Sequence, residues 1–317
     1  MKVLFLAGYF SAILLTLTAS GAPGGNKPWT LVTGRYGAAA VSDGQALYVV
    51  CGSGPFDALG SIEKIDLRTG LSTVLSAKLD LRRYHAAVVI GREIFVLGGE
   101  AQDGFVATVQ AVNLDTGAVR RVGHMPTPRR MLSAVAVEAT IFTFGGRAFT
   151  EVDDRSERST AVEIYDAAKN RWFGGPPLPK PKECPAVING PYVYLLGGYN
   201  GERTAVRASQ RLNLTTARWE ELAATPFPLS AYSAVSLGEA IVCFGDFDEQ
   251  GRVAAYLVAE GKWRVLDIPF SARRHSAACL VGDQVYVAGG VFRTAGLRII
   301  ERFSAASISA AIARAVQ

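Results

Sequence analysis

Arginine is the residue type whose placement in this chain could do chemistry. It recurs as Arg82-Arg83, Arg129-Arg130 and Arg273-Arg274, with Arg35 alone and Lys180 and Lys182 in a similar setting. Each group precedes a short apolar strand. Arg83, Arg130, Lys182 and Arg274 each stand 16 residues before Gly99, Gly146, Gly198 and Gly290, and Ser230 has the same relation to Asp246. Guanidinium binds carboxylates and phosphates through paired hydrogen bonds, where ammonium acts as a point charge. A ring of such charges around an opening would focus field and attract anions. The candidate ligand-binding residues are therefore Arg35, Arg83, Tyr84, Arg130, Lys182, Arg274 and His275. The competing reading makes the same cations packing residues that hydrogen-bond loop carbonyls.

Other chemistries find less support. The chain has three histidines, His85, His124 and His275. His85 and His275 stand 14 and 15 residues before their glycines, so on regular strands they face opposite ways and do not share a metal. The acidic run Asp246-Phe247-Asp248-Glu249-Gln250-Gly251 reads as a solvated loop. Gly52-Ser53-Gly54 lacks the third glycine of a phosphate cradle, and no nucleophile elbow occurs. Neither cofactor nor metal is expected. Glu151, Glu183 and Glu202 are possible acid/base groups, with no pattern that selects among them. Cys51, Cys184, Cys243 and Cys279 form no CxxC pair, and each falls in or beside a strand, where a small buried thiol is the simplest reading. The excess of 33 basic over 28 acidic side chains, formally +5, does not by itself imply a nucleic-acid partner.

What must position the arginines is a repeat. An apolar strand ending in two glycines recurs as Ile94–Gly99, Ile141–Gly146, Val193–Gly198 and Val285–Gly290, with degenerate endings at Cys51-Gly52 and Gly245-Asp246. The second positions are spaced by 47, 47, 52, 48 and 44 residues. A β-prone strand precedes each, as in Ala86–Ile90, and a third strand holds an aromatic or aliphatic residue seven positions before a tryptophan: Tyr165/Trp172, Leu212/Trp219 and Tyr256/Trp263. Four strands per unit make a propeller blade.

The glycine pairs with Tyr and Trp at fixed offsets resemble the kelch repeat, over roughly residues 28 to 304. The resemblance implies an all-β fold: a six-bladed kelch-type β-propeller with four-stranded blades. Blades one and two carry Ser72 and Val119 at the tryptophan place, and blades one and five lack one glycine, so looser packing is expected there. The last unit ends without a fourth strand, whereas Lys27-Pro28-Trp29-Thr30-Leu31-Val32 matches Gly261–Leu266 and precedes the first blade. That N-terminal strand should complete the last blade and remove an open edge. The tail, residues 305–317, carries no motif and is expected to form a short helix or to fray, and its loss is expected to leave stability unchanged.

The loops on one face of the ring should carry function. Blade three has an insertion of about six residues at Phe149–Arg158, the kind of long loop that often does so. Residues 1–21 have the order of an export signal: Lys2, an apolar run from Val3 to Leu17, then Thr18-Ala19-Ser20-Gly21. The propeller, residues 27–304, is then secreted or periplasmic, without a membrane span in the mature chain, and monomeric. Kelch-type proteins mostly bind partners, so the leading expectation is a binding module for a protein or an anionic glycan, with no nucleic acid. The alternative is an enzyme similar to exported kelch-type epimerases or mutarotases of carboxylate sugars such as sialic acid.

Overall fold

The computed structural model describes residues 28–149 and 156–315. The leader expected over residues 1–21 and the centre of the blade-three insertion lie outside them. Among the described residues the long strands group into six four-stranded antiparallel sheets, with three two-stranded ribbons in the loops. The sheets span residues 39–76, 86–124, 133–174, 186–222, 233–266 and 277–304, the last completed by Trp29–Thr30. They are the blades of a six-bladed β-propeller. No helix among the described residues is long and apolar enough to cross a membrane.

The innermost strand of each blade is short and built from small residues. Ala39, Ala86, Ser133, Ser233 and Ala277 hold equivalent register positions against the second strands, and Ala186 opens the inner strand of blade four one place further on. Six strands converge on one axis, so larger side chains here would fill the channel; small ones leave a cavity of about 660 Å³. The second strands carry the core: Ala46–Val50 and Ala240–Phe244 are buried at every position. The missing glycine of blades one and five thus costs their second strands no burial. Cys51 itself adopts the left-handed φ of 46° that the first glycine supplies elsewhere. Asp246 replaces the second glycine and is fully buried, paired with Arg252. Where the second glycine is kept it is required: a Cβ on Gly99, at φ 105°, would sit 2.9 Å from the Arg83 carbonyl oxygen.

The ring closes as the sequence implies. Trp29 pairs with Ile300 and Thr30 with Ile299, so the N-terminal strand is the outer strand of blade six. Trp29 is buried, stacks on Tyr286 at 5.7 Å between ring centres and lies under the Arg302 guanidinium. Of the two forms expected of the tail, the short helix is the one found, and it is packed rather than free. Ala305–Arg314 is a helix capped by Ser304, whose hydroxyl accepts from the Ser307 N–H. It lays Ile308 and Ala311, both buried, onto the core formed by Phe244, Val285 and Phe303. A motif-free alanine-rich tail is therefore part of the fold, because its two apolar positions three apart share one helix face.

Candidate functional site

Backbone pairing, rather than counting from the glycines, fixes which loop residues are equivalent. Gly52, Gly99, Gly146 and Gly290 donate their N–H groups to the carbonyls of Arg82, Arg129, Lys182 and Arg35. Arg273 holds the same place, since the next residue, Arg274, pairs with Val291 as Arg83 pairs with Glu100 and Arg130 with Arg147. At this first place the side chains are structural. Arg35, Arg82, Arg129 and Arg273 are 0% exposed. Arg129 donates to the Gly145 carbonyl at 2.7 Å, the Thr143 hydroxyl at 2.9 Å and the Glu163 carboxylate at 2.6 Å. Arg35 pairs likewise with Glu63 and Arg273 with Glu301, while Arg82 uses Gln110. Each clamps the loop entering a blade to the second and third strands of that blade. Lys182 belongs to this buried set, donating to the carbonyls of Leu195 and Ala208. Arg35 and Lys182 are therefore removed from the candidate ligand site: both are enclosed by the carbonyls they satisfy.

The next place faces the mouth and holds Tyr36, Arg83, Arg130, Glu183 and Arg274. Blade four contributes a carboxylate here because it is one residue shorter. Glu183 stands 15 residues before Gly198, against 16 for Arg130 and Gly146. The missing residue is the one that elsewhere takes a left-handed conformation: Gly37, Tyr84, Met131, Ala231 and His275 all have φ between 51° and 58°. These residues form a belt of backbone bonds between blades, Gly37 N–H to His275, Tyr84 N–H to Gly37, Met131 N–H to Tyr84 and His275 N–H to Ala231. Among the described residues the belt is interrupted at blade four, where Glu183 is followed directly by Cys184 and Pro185.

Beside this gap lies the cationic part of the cavity. Its lining includes Arg130, Arg147, Arg158, Glu183, Tyr199 and Arg203. Arg147–Phe149 and Ser156–Arg158 form the ribbon at the base of the blade-three insertion, with Arg147 directly opposite Arg158. Like charges at such a cross-strand position repel. Arg158 Nε lies 3.1 Å from Glu183 Oε1, and its guanidinium sits 4.6 Å above the Tyr199 ring. Burial raises the Glu183 carboxyl above its ordinary value, against the opposing pull of Arg158, Arg130 and Arg147. Burial, with Arg158 and Arg130 beside it, lowers the Arg147 guanidinium.

Of the other sequence candidates, Tyr84 and His275 line this cavity, and both also line a smaller one of about 320 Å³ with Tyr36, Arg274 and Arg293. Their rings meet edge to face at 5.3 Å. Arg83 and Arg130 share the Glu100 carboxylate, at 3.2 and 2.6 Å. Of the three possible acids Glu183 alone is placed at the cavity; Glu202 is exposed and Glu151 lies outside the described residues. His85, one place beyond His275, is buried in the wall of the same cavity and is pushed down to about 3 by burial with Arg82 and Arg35 nearby. The cysteines are unpaired thiols, three of them buried.

Sequence reasoning missed Arg147, Arg158, Tyr199 and Arg203. The signal for two of them was available: Arg147 and Tyr199 directly follow glycine pairs, and that place bridges the mouth residue. It also missed an aromatic rim. The second-to-third-strand loops present Phe56, Phe149, Phe247 and Phe292 to solvent, with Arg274 stacked over Phe247 at 4.4 Å and Arg293 over Phe292 at 5.6 Å.

Six four-stranded blades, the glycine-ended second strands and loops gathered around one mouth define a propeller of the kelch type. The chain carries the kelch repeat. Residues 81–126, the second repeat, match the family model for the Kelch motif. The chain is 30% identical to Kelch-like protein 41a of Danio rerio over 151 residues, 46% of this chain and 24% of that protein. It is 28% identical to Kelch-like protein 38 of Homo sapiens over 140 residues, 44% and 24% of the two chains. The similarity thus spans about a quarter of the length of these relatives.

Proposed function

We propose that this propeller is a protein-binding module that takes a carboxylate of its partner into the mouth of the central channel. Kelch propellers generally bind proteins. The observation that carries the finer reading is the convergence of Arg130, Arg147 and Arg158 on one side of a cavity of about 660 Å³. The aromatic and arginine rim around it supports a macromolecular partner, because aromatic residues and Arg dominate protein interfaces. The test is an array of acidic peptides, each carboxylate replaced in turn by its amide, probed with the full chain. Binding should fall at least about ten-fold when the critical carboxylate is lost, the cost of a charge-assisted hydrogen bond. The variant Arg147→Gln/Arg158→Gln should no longer discriminate acid from amide. Indifference of the wild type to amide replacement would sink the reading.

One observation favours a second reading. Glu183 is a buried carboxyl beside carboxylate-binding cations, the pairing that an epimerase or mutarotase of a carboxylate sugar requires. Proton NMR of freshly dissolved sialic acid, with and without the protein, distinguishes it by the rate of anomer exchange. For either reading we place the site of action outside the cytoplasm, on the leader pattern of residues 1–21. N-terminal sequencing of the exported chain tests this; a product beginning at Met1 would refute it.

A further inference from the structure

We propose that Glu183 is a built-in competitor for the carboxylate site, occupying Arg158 in the free protein and yielding it when an acidic ligand group enters, so that binding takes up a proton. The inference rests on the carboxylate-binding reading above and adds its regulation.

The geometry is that of an occupied but poorly satisfied site. Arg158 Nε is within 3.1 Å of Glu183 Oε1, yet both atoms, and Arg130 Nε beside them, are buried with no well-aligned hydrogen bond among the described residues. A buried polar atom left unpaired is costly, so the pair holds charge together without the directional bonds that would make it a fold-stabilising clamp. The contrast within the molecule lies at the carboxylate: Arg129 too has an unpartnered Nε, but its terminal nitrogen donates a formed hydrogen bond to Glu163 at 2.6 Å. Arg147 and Arg158 stand opposite each other on their ribbon, an arrangement that favours an anion between or beside them. Glu183 supplies one negative charge there only because blade four lacks the residue that elsewhere precedes the inner strand.

An entering carboxylate brings a second negative charge against Glu183. Two carboxylates sharing one site cannot both stay ionised cheaply, so one takes a proton. Glu183 is the group poised to do so, since burial already holds its carboxyl above the ordinary value. The charged groups facing it are Arg158 and Arg147 on the ribbon of blade three, Arg130 on the loop entering blade three and Arg203 on the following loop of its own blade, beside the Tyr199 ring; Asp248 lines the cavity from blade five. The remaining titrating groups of the wall lie outside the range concerned: burial pushes His85 down to about 3 and His275 to about 4, holds Tyr84 up to about 12, and raises Tyr232 and the Cys184 thiol. The sign follows. The ligand raises the Glu183 carboxyl further, so affinity is lowest where Glu183 is ionised in both states. It climbs as pH falls through the bound-state value and levels off below the free-state one.

Sulfate is the probe, because its charge is constant over the range, titrated calorimetrically into the full chain in two buffers of different ionisation heat. The wild type should bind about ten-fold more tightly near pH 5 than near pH 8, a coupling of ordinary size, with net proton uptake. Glu183→Gln should bind near pH 8 as tightly as the wild type near pH 5, with no uptake. Proton uptake by the wild type needs no variant and so stands even if Glu183→Gln folds poorly. Weaker binding by Glu183→Gln at both pH values, or pH-independent wild-type affinity, overturns the competitor role while leaving the arginine site intact. Sulfate affinity unchanged in Arg158→Gln, or no sulfate binding by the wild type at either pH, overturns the carboxylate site as well.

Discussion

Arg129 and Arg130 are adjacent in sequence and identical in type, yet they belong to different parts of the molecule. Arg129 is fully enclosed and spends its donors on Gly145, Ala161, Thr143 and Glu163, all within its own blade. Arg130 looks into the channel, shares Glu100 with Arg83 and lies 5.3 Å over Phe105. The same division separates Arg82 from Arg83 and Arg273 from Arg274. One backbone step at the entrance to a strand turns a side chain from the interior of a blade to the mouth, because successive residues of extended chain point oppositely. Two functions, fastening and binding, are thus written in one dipeptide repeated around the ring.

The largest expected effect breaks the first half of that comparison. Arg129→Ala leaves the Glu163 carboxylate and the Gly145 carbonyl without their donor, and removing one partner of a buried pair costs about 3 to 5 kcal/mol. Arg130→Ala, by contrast, opens a partly solvated contact and should cost less than about 1 kcal/mol. Chemical denaturation of the two variants gives the difference. Equal losses would mean that the buried and mouth-facing arginines are not distinct classes.

The seams of the ring come next. Trp29→Ala removes a buried aromatic from the strand that closes blade six, for about 3 to 5 kcal/mol. Removal of residues 305–317 exposes Phe303 and loses the burial of Ile308, for about 2 kcal/mol or more. Thermal melts of both chains test closure and tail docking separately. A truncated chain that melts with the full one would restore the expectation that the tail is dispensable.

What was legible in the sequence is what the backbone itself demands. The glycine at position 99 is forced by its left-handed φ and the Arg83 carbonyl against it, so the same residue type recurs blade after blade and reveals the period. Trp29 was readable because a strand motif without a blade has only one place to go. The site was less legible. A count from the glycines places Lys182 with Arg83 and Arg130, but the deletion between Glu183 and Cys184 shifts blade four by one, and nothing in the residue types marks it. Arg158 comes to Glu183 from another blade, through a ribbon that pairs across the insertion, a proximity that no spacing encodes.

The smallest expected effect sharpens the second half of the comparison, within the mouth itself. Unlike Arg130, which pairs with Arg147, the ring cations Arg83 and Arg274 make no backbone bridge to the Arg147 and Arg158 ribbon. Arg83 is tied to Glu100, which Arg130 would still hold in its absence. Arg274 lies over the exposed Phe247 ring, an arrangement worth about 0.5 to 1 kcal/mol at a surface site. Replacing both by Gln should therefore move stability by no more than about 1 kcal/mol, with the acid-over-amide preference of a bound peptide preserved. The measurement is a paired one, a thermal melt and a peptide titration on the same double variant. A loss of acid preference as large as that expected from Arg147→Gln/Arg158→Gln would show that the whole ring acts on the ligand through its summed field. Preservation would confine recognition to the blade-three and blade-four side, where the belt of backbone bonds is interrupted and a carboxylate already waits beside its cation.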